Sequence, residues 1–460
     1  MDLTKYTNII FIGMAGIGMS ALARYFRDHG KNIFGYDATR SLIAEGLEKD
    51  QFQIIYQDNI EAVAREFLNN EKTLIVYTPA IPSHNKLLAY FRKNEYEVVK
   101  RSDALQEITR GHYTIAVGGA HGKTSTSALI AHILDMAKVS FTALIGGIAL
   151  NFNSNYIKKG DGSILVVEAD EYDRSFLKLN PDIAIITSTD ADHLDIYKSD
   201  EEIKAAYKQF ADNINKDGLL IYRHNNLNFA ISNKIKSLSF DLENENADLN
   251  LSDISVKQGK YCSSFSSKAD KLDLIHGTPG QHFALNIAAA IGATKPLVRS
   301  NKTIQEAIAG FKGVRRRFEK VYEDFENQLF IYDDYAHHPN EIKYTVQTLR
   351  KLHPNLKLTS IFQPHLYSRT RDFAEGFAHE LSLSDQVYLL PIYPAREEPI
   401  EGVSSRLIEQ LMQANTCRVI EKEDIPVIVQ SIKKGALVFL GAGDIDREVK
   451  KIKSQLPYEI

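Results

Sequence analysis

Short runs of β-branched and aliphatic residues alternate with amphipathic stretches along the whole chain. A short apolar run reads as a buried strand, and apolar positions three and four apart read as one face of a helix. Asn8–Ile12 predicts a strand, the stretch to about His29 a helix, and Asn32–Tyr36 a second strand. The rhythm returns at Thr114–Gly118, followed by a helix from about Thr126 to Met136, and at Ser163–Val167 and Asp182–Thr187. It appears again at Leu329–Tyr332, Lys357–Phe362 and Leu437–Leu440. Strands alternating with helices imply parallel sheets covered by helices, an α/β class. The polar stretch Asp241–Asp253, rich in Asn and Asp, interrupts the pattern and predicts an exposed loop or hairpin. No internal repeat and no low-complexity tract is present.

A chain of 460 residues predicts three domains, at roughly 100–200 residues each. The boundaries fall near Gly111-His112 and Lys312-Gly313, giving 1–110, 111–312 and 313–460. Hydrophobic content of 44% and charged content of 25% fit an ordinary globular protein. Lys plus Arg number 55 against 59 Asp plus Glu, for a net charge of −4. That balance argues against a general nucleic-acid or anionic-membrane surface. Cys262 and Cys417 alone cannot build a disulfide framework, a cysteine zinc site or a C-x-x-C redox pair. The start lacks a basic signal-peptide region, and no uninterrupted apolar segment is long enough to span a membrane. The expectation is a soluble, cytoplasmic protein.

Three openings carry candidate chemistry. The first strand runs into Gly13-Met14-Ala15-Gly16-Ile17-Gly18, and Asp37 ends the second strand, 24 positions after the first glycine. Such glycines let backbone approach a diphosphate, while the helix N-terminus supplies N–H donors. The order is G-x-x-G-x-G, not the dinucleotide fingerprint G-x-G-x-x-G. The turn therefore reads as a nucleotide or nucleotide-sugar site, with packing as the bland alternative.

The second opening is Gly119-Ala120-His121-Gly122-Lys123-Thr124-Ser125 between a strand and a helix. Gly-Lys-Thr at that place is the working end of a P-loop. Its N–H groups cradle phosphates, Lys123 meets the β/γ charge and the Thr124 hydroxyl ligates Mg²⁺. The loop is shorter than G-x-x-x-x-G-K-S/T, because Val117 stands where that pattern needs glycine. Two further strands deliver Glu168-Ala169-Asp170-Glu171-Tyr172-Asp173 and Asp190-Ala191-Asp192-His193 at their ends. Carboxylates at strand C-termini beside a P-loop are placed to hold the metal.

The third opening brings Asp333–Pro339, Gln363–Arg371 and Gly441–Asp444 to strand ends. The basic run Arg315-Arg316-Arg317, at a domain junction of an ATP-binding chain, is read as reaching phosphates rather than as a solvated face.

Together these motifs resemble the Mur ligase family. The resemblance spans nearly the whole length. It runs from Gly13/Gly16/Gly18 with Met19-Ser20, through Gly119–Ser125, Glu168–Glu171, Asp192-His193 and Gly280-Gln281-His282…Asn286, to Gly313–Phe318. In the last third it includes Asp333–Pro339, Phe362–His365 and Tyr393–Glu397. It implies three α/β domains. These are an N-terminal Rossmann-like domain for a UDP-sugar, a central P-loop ATPase domain, and a C-terminal Rossmann-like domain that closes over the site. It implies ATP-dependent, Mg²⁺-dependent amide formation between the lactyl carboxylate of UDP-N-acetylmuramate and L-alanine, by way of an acyl phosphate. The setting implied is cytoplasmic peptidoglycan synthesis by a monomer or weak homodimer.

By the same resemblance His193 joins Thr124 and Glu168 at the metals, and His282 and Asn286 meet adenine. Asp334 meets the ribose or its neighbourhood, and Arg317 the phosphates. Gly13, Gly16, Gly18, Asp37, Ser41, Thr78, Ile81 and Arg101 cradle the UDP-sugar, while His337 and Arg369 lie near the amino acid and acyl intermediate. The chain departs from the family at Ala120 (usually Thr), at Phe283 (usually Asn) and at Leu366 (often Arg). The last leaves Arg369 or Arg371 to hold the amino-acid carboxylate. Lys208 is in the region where other members carry a carbamylated lysine, which this chain is not expected to use. No residue stands out as general base for the amine. The competing readings are a recycling ligase that adds a tripeptide to the same sugar nucleotide, a non-catalytic nucleotide sensor, and an NAD-dependent dehydrogenase domain at residues 1–110.

Overall fold

The computed structural model describes residues 3–189, 197, 199–227, 229–395, 397–413 and 416–456. Its strands form three sheets, and the chain divides into two compact units. Unit 1 is Met1–Ser252, Phe265–Leu272 and Leu285–Ile308; unit 2 is Asp253–Ser264, Asp273–Ala284 and Ala309–Ile460.

In unit 1 the first sheet holds β1 (Asn8–Ile12), β2 (Asn32–Tyr36), β3 (Gln53–Ile55), β4 (Thr73–Tyr77) and β5 (Glu97–Lys100). All pairs are parallel, in the order β3-β2-β1-β4-β5. β1 is buried at every position, as a central strand covered on both faces must be. With a period of two, Ile9 and Phe11 pack with Leu22 and Phe26, whereas Ile10 and Ile12 pack with Phe34 and Phe91. Helices α1 (Ile17–Asp28), α2 (Leu42–Lys49), α3 (Lys86–Lys93) and α4 (Arg101–Thr109) complete the layers. Successive strands run outward from β1 in one direction and then, from β4, in the other. The C-terminal ends of β1 and β4 therefore open a crevice.

The P-loop sheet holds β6 (Tyr113–Gly118), β7 (Phe141–Ala149), β8 (Ser154–Lys159), β9 (Ile164–Glu168), β10 (Ile183–Ile186), β11 (Leu219–Arg223) and β12 (Lys236–Leu242). The order is β12-β11-β10-β6-β9-β7-β8. Pairing is parallel except between β7 and β8. Helix α5 (Lys123–Met136) starts earlier than the apolar pattern suggests, because Gly122 caps it in the left-handed region at φ 82°. Helix α6 (Asp200–Asp212) follows β10. Strands β13 (Leu249–Lys257), β14 (Lys260–Ser267) and β15 (Lys271–Ile275) continue this sheet beyond β12, making ten strands, and each is divided between the units.

The polar stretch 241–253 is neither an exposed loop nor a hairpin, which corrects the sequence expectation. Phe240 pairs in parallel with Leu249, and Leu251 is fully buried. Its Asn and Asp residues serve the tight link instead. Asn244 N–H donates to Asn250 Oδ1 at 3.0 Å, and the Ser239 N–H donates to Asp248 Oδ2 at 2.9 Å. Side chains thus replace the missing backbone partners of the turn.

Unit 2 contains a sheet of β16 (Glu319–Asp324), β17 (Leu329–Asp334), β18 (Leu358–Phe362), β19 (Gln386–Leu389), β20 (Cys417–Val419) and β21 (Gly435–Leu440). The order is β16-β17-β21-β18-β19-β20, antiparallel only between β16 and β17. Helices α7 (Gln281–Thr294) and α8 (Asn301–Gly310) precede it, and α9 (Pro339–Leu352) and α10 (Tyr367–Leu381) pack on it. Among the described residues no helix is long and apolar enough to cross a membrane.

Candidate active site

Strand β6 lies between β10 and β9, so whatever follows those two strands flanks the loop that follows β6. The loop turns through Gly119 at φ 122° and Gly122 at φ 82°. A Cβ on Gly119 would stand 2.1 Å from the Thr187 hydroxyl oxygen, and one on Gly122 would stand 2.4 Å from Asn286 Oδ1. Ala120 N–H donates to the Ser188 carbonyl at 3.1 Å, and His121 N–H to Ser188 Oγ at 3.2 Å. The end of β10 thereby fastens the loop. Thr187 and Ser188 carry no signal in the sequence beyond their place at a strand end.

Lys123, the first residue of α5, donates from Nζ to both oxygens of Glu171 at 2.8 Å and to the Gly119 carbonyl at 2.7 Å. Burial alone would lower its pKa. The carboxylates of Glu171, Asp170 and Glu168 outweigh that and hold the ammonium above its ordinary value. Glu168, the last residue of β9, sits across from Val117 in register. It accepts from Gly146 N–H at 2.6 Å, from Thr124 Oγ1 at 3.3 Å and from Ser127 Oγ at 3.4 Å. Burial pushes its carboxyl above the usual range, the mark of a buried charge short of compensation. Thr124 and Glu168 are hard oxygen donors at the phosphate end of the loop. They fit Mg²⁺, which takes few protein ligands and completes its shell with water and phosphate oxygens. His193, with Asp190 and Asp192, lies outside the described residues, as does Arg396.

The glycine turn after β1 is held by Asp37, whose Oδ2 accepts from Ala15 N–H at 2.9 Å. Gly13, at φ 87°, would place a Cβ 2.6 Å from Thr78 Cγ2 and 3.1 Å from Ile81 Cδ1. One on Gly18 would stand 2.4 Å from Arg101 Nη1. These close approaches bring Gly13, Gly18, Thr78, Ile81 and Arg101 together. A cavity of about 220 Å³ lies there, lined by Gly16, Gly18, Thr78, Arg101, Asp170 and Ser175 among others. Arg101 pairs with Asp170 at 2.8 Å. Ser41 caps α2, accepting from Ala44 N–H at 3.2 Å.

Unit 2 gathers a second set. Asp334 is bonded by the Thr345 hydroxyl, and burial raises its carboxyl to about 6. His337 Nδ1 lies 2.8 Å from the Tyr335 carbonyl and 3.4 Å from Glu341. Burial lowers the His337 pKa, Glu341 opposes that, and Arg369 adds to the lowering. His282 is held neutral by burial, with its pKa near 4, and its ring centre is 6.0 Å from that of Tyr344. The Arg317 guanidinium lies 4.8 Å from the Tyr335 ring centre, and its charge acts on Asp334, His282 and His337. In unit 1, Asn286 abuts Gly122. Phe283 stacks on Phe311 at 5.5 Å in the core. Lys208 pairs with Asp212 at 2.5 Å along α6.

The run Arg315–Arg317 does not act as one phosphate-binding patch, a correction to the sequence reading. Arg316 turns inward, donating to the carbonyls of Gly441 at 2.5 Å and Gly443 at 3.3 Å. It also faces Asp333 at 3.7 Å and Asp446 at 3.4 Å. The cause is Asp333. Burial raises its carboxyl to about 7, and Arg316 is the first charge that offsets this.

Three family models match in order. They are the Mur ligase family, catalytic domain, over residues 8–113, the Mur ligase middle domain over 117–294, and the Mur ligase, glutamate ligase domain, over 316–443. The chain belongs to the Mur ligase family. This Mur ligase is 42% identical to the UDP-N-acetylmuramate–L-alanine ligase of Christiangramia forsetii, covering 100% of this chain and 99% of that relative. Its structure is similar to the UDP-N-acetylmuramate-alanine ligase of Thermotoga maritima, with a TM-score of 0.84 at 26% identity over 97% of this chain and 98% of that one. A murein peptide ligase from Psychrobacter arcticus shares the fold, with a TM-score of 0.70 at 23% identity over 99% of each chain. The three-domain α/β architecture is thus that of the Mur ligases.

Proposed function

We propose that this Mur ligase joins L-alanine to the lactyl carboxylate of UDP-N-acetylmuramate with cleavage of ATP, in cytoplasmic peptidoglycan synthesis. The observation that carries the reading is the shared wall of two sites. The cavity at the Gly13–Gly18 turn is bounded by Asp170, which sits between Glu168 and Glu171, the two carboxylates of the P-loop site. A sugar nucleotide in the cavity would therefore abut the phosphates. The full-length relatives support this reading, and Phe283, one of the departures, is spent on packing against Phe311 in the core. Residues 1–110, 111–312 and 313–460 are proposed as the sugar-nucleotide, ATP and closing domains, in a monomer or weak homodimer.

A carboxylate is a poor acyl donor, so it must be activated. Its oxygen attacks the γ-phosphorus, the bond to the β-phosphate breaks, and ADP leaves an acyl phosphate. The neutral amine of alanine then attacks the acyl carbon, inorganic phosphate leaves, and the amine gives up a proton. The first step brings an anion to a polyanion, which demands preorganised positive charge. Lys123 supplies it at the loop, and the first turn of α5, which starts at Lys123, would present N–H groups to the phosphates. Arg101 meets the sugar nucleotide from the cavity wall, with Gly13, Gly16, Gly18, Thr78 and Ile81 shaping the space and Asp37 and Ser41 holding the adjoining turns. Thr124 and Glu168, with His193, would hold Mg²⁺, which would supply neutralisation of phosphate charge. His282, Asn286, Asp334 and Arg317 serve the nucleotide, and His337 and Arg369 the amino acid.

The test is phosphate release by the pure chain with UDP-N-acetylmuramate, ATP-Mg and either L-alanine or the tripeptide. Release with L-alanine is expected. Release with the tripeptide alone would overturn the assignment in favour of the recycling reaction, and absence of release with either would leave a non-catalytic sensor.

A further inference from the structure

The hairpin of β7 and β8 lies at the edge of the P-loop sheet, and its two strands reach in different directions. On β7, the register shifts between Leu144 and Ala149. This irregularity frees the Gly146 N–H from the ladder, and it donates to Glu168 at 2.6 Å. A Cβ on Gly146 would stand 2.4 Å from that carboxylate, so the strand presses directly on it. On β8, Asn155 is 0% exposed, and its side chain is spent on α1 of the other sheet. Its Nδ2 donates to the Ile17 carbonyl at 2.7 Å and to Ser20 Oγ at 2.9 Å, and its Oδ1 accepts from Arg24 Nη1 at 3.0 Å.

The place of these bonds gives them meaning. Ile17 is the first residue of α1 and lines the cavity with Gly16 and Gly18. The N-cap Gly16 offers no side-chain bond of its own. The first turn of α1, the end that presents N–H groups to an anion, is therefore fixed from outside by a buried amide. The far end of α1 is tied separately, through Asp28, to the Tyr156 hydroxyl at 2.7 Å and to Lys158 at 3.0 Å. One hairpin thus sets the Glu168 carboxylate with one strand and the sugar-nucleotide turn with the other.

We propose that Asn155 is a positioning residue for the sugar nucleotide, holding the first turn of α1 at a set distance from the P-loop so that the substrate carboxylate meets the γ-phosphate. The proposal rests on reading the Gly13–Gly18 turn as the UDP-sugar site. A displacement of the reacting groups by about 1 Å is enough for a hundredfold loss. The test compares Asn155→Ala with Tyr156→Phe, which releases only the far end of α1. Steady-state phosphate release is measured against each substrate, alongside thermal melting. Asn155→Ala is expected to raise KM for UDP-N-acetylmuramate at least tenfold and lower kcat, with KM for ATP within twofold of the wild type. Tyr156→Phe leaves both KM values within twofold. A lower melting temperature with unchanged KM values would make Asn155 a structural tie and overturn the proposal. If Asn155→Ala does not fold, Asn155→Asp sets a carboxylate oxygen against the Ile17 carbonyl in the same shape, and the same two outcomes decide. Failure of the wild type itself to use UDP-N-acetylmuramate would instead overturn the functional reading, before any variant is compared.

Discussion

Lys123 Nζ stands 2.8 Å from each carboxylate oxygen of Glu171. An ammonium has three donors, and four acceptors surround this one: these two oxygens, the Gly119 carbonyl at 2.7 Å and the Ala120 carbonyl at 3.4 Å. A phosphate oxygen that meets Lys123 must take a donor from one of these. Glu171 would therefore compete with a nucleotide there, while with Asp170 and Glu168 it keeps the lysine charged in a buried place.

Glu171→Gln should destabilise the protein, because the Lys123 side chain is only 15% exposed and loses its nearest counter-charge. Breaking a buried pair costs on the order of 3 kcal/mol. The variant should also gain more from ATP-Mg than the wild type, since the phosphates restore the charge balance without displacing a carboxylate. Thermal melts with and without ATP-Mg read both effects. An equal ligand-induced rise in the two proteins would mean that Glu171 does not compete.

Glu168→Gln keeps the shape and the oxygen that accepts from Gly146 but removes the charge offered to a cation. Turnover should fall at least about 100-fold, the scale for losing one preorganised electrostatic group, and the Mg²⁺ concentration for half-maximal rate should rise. Lys123→Ala should abolish turnover with the fold retained by circular dichroism. Rates near wild type in either variant would remove that residue from the site.

Much of this arrangement leaves marks along the chain, and the marks have a physical origin. Gly13, Gly119 and Gly122 have positive φ and neighbours that exclude a Cβ, so the turns show as glycines. Glu168 and Asp334 end buried strands, so an acidic residue after an apolar run marks each. What stays hidden is set by sheet order. Glu171 meets Lys123 across 48 positions, and Ser188 reaches the loop only because β10 lies beside β6. Adjacent Arg316 and Arg317 have different fates because Arg316, at φ 59°, points its guanidinium at the buried Asp333. No local pattern separates the two. Asn155 is hidden for a similar reason: its partners lie on a helix of another sheet.

Acid should weaken unit 2 through His276. Burial lowers its pKa to about 4 from an ordinary 6.5, while Nε2 shares a bond with Ser263 Oγ at 2.8 Å. The unfolded chain therefore binds a proton that the native state refuses. Its contribution to stability is complete above pH 6.5, declines as pH falls through 6.5 towards 4, and levels off below. At 1.36 kcal/mol per pH unit the loss approaches ~3 kcal/mol. His276→Gln removes this proton, so its urea midpoint should fall less between pH 7 and pH 5 than that of the wild type. Parallel declines would place the acid sensitivity elsewhere.

Helix α10 carries two arginines near its start, Arg369 and Arg371, and the proposed function assigns one of them to the amino acid. Leu366, in the left-handed region at φ 70°, caps this helix, and its N–H donates to the Tyr393 carbonyl at 3.0 Å. A positive φ is strained for any residue that carries a Cβ. Arg371 is 55% exposed and bonded to Asp372 at 2.8 Å, so its charge is spent at the surface. Arg369 acts instead on buried His337, the side from which an amino-acid carboxylate would be held. Arg369→Ala should raise KM for L-alanine at least tenfold with little change in KM for ATP, whereas Arg371→Ala should leave both within twofold. Phosphate release against L-alanine concentration measures the split. An unchanged KM for L-alanine in Arg369→Ala would mean that Arg369 does not hold the carboxylate.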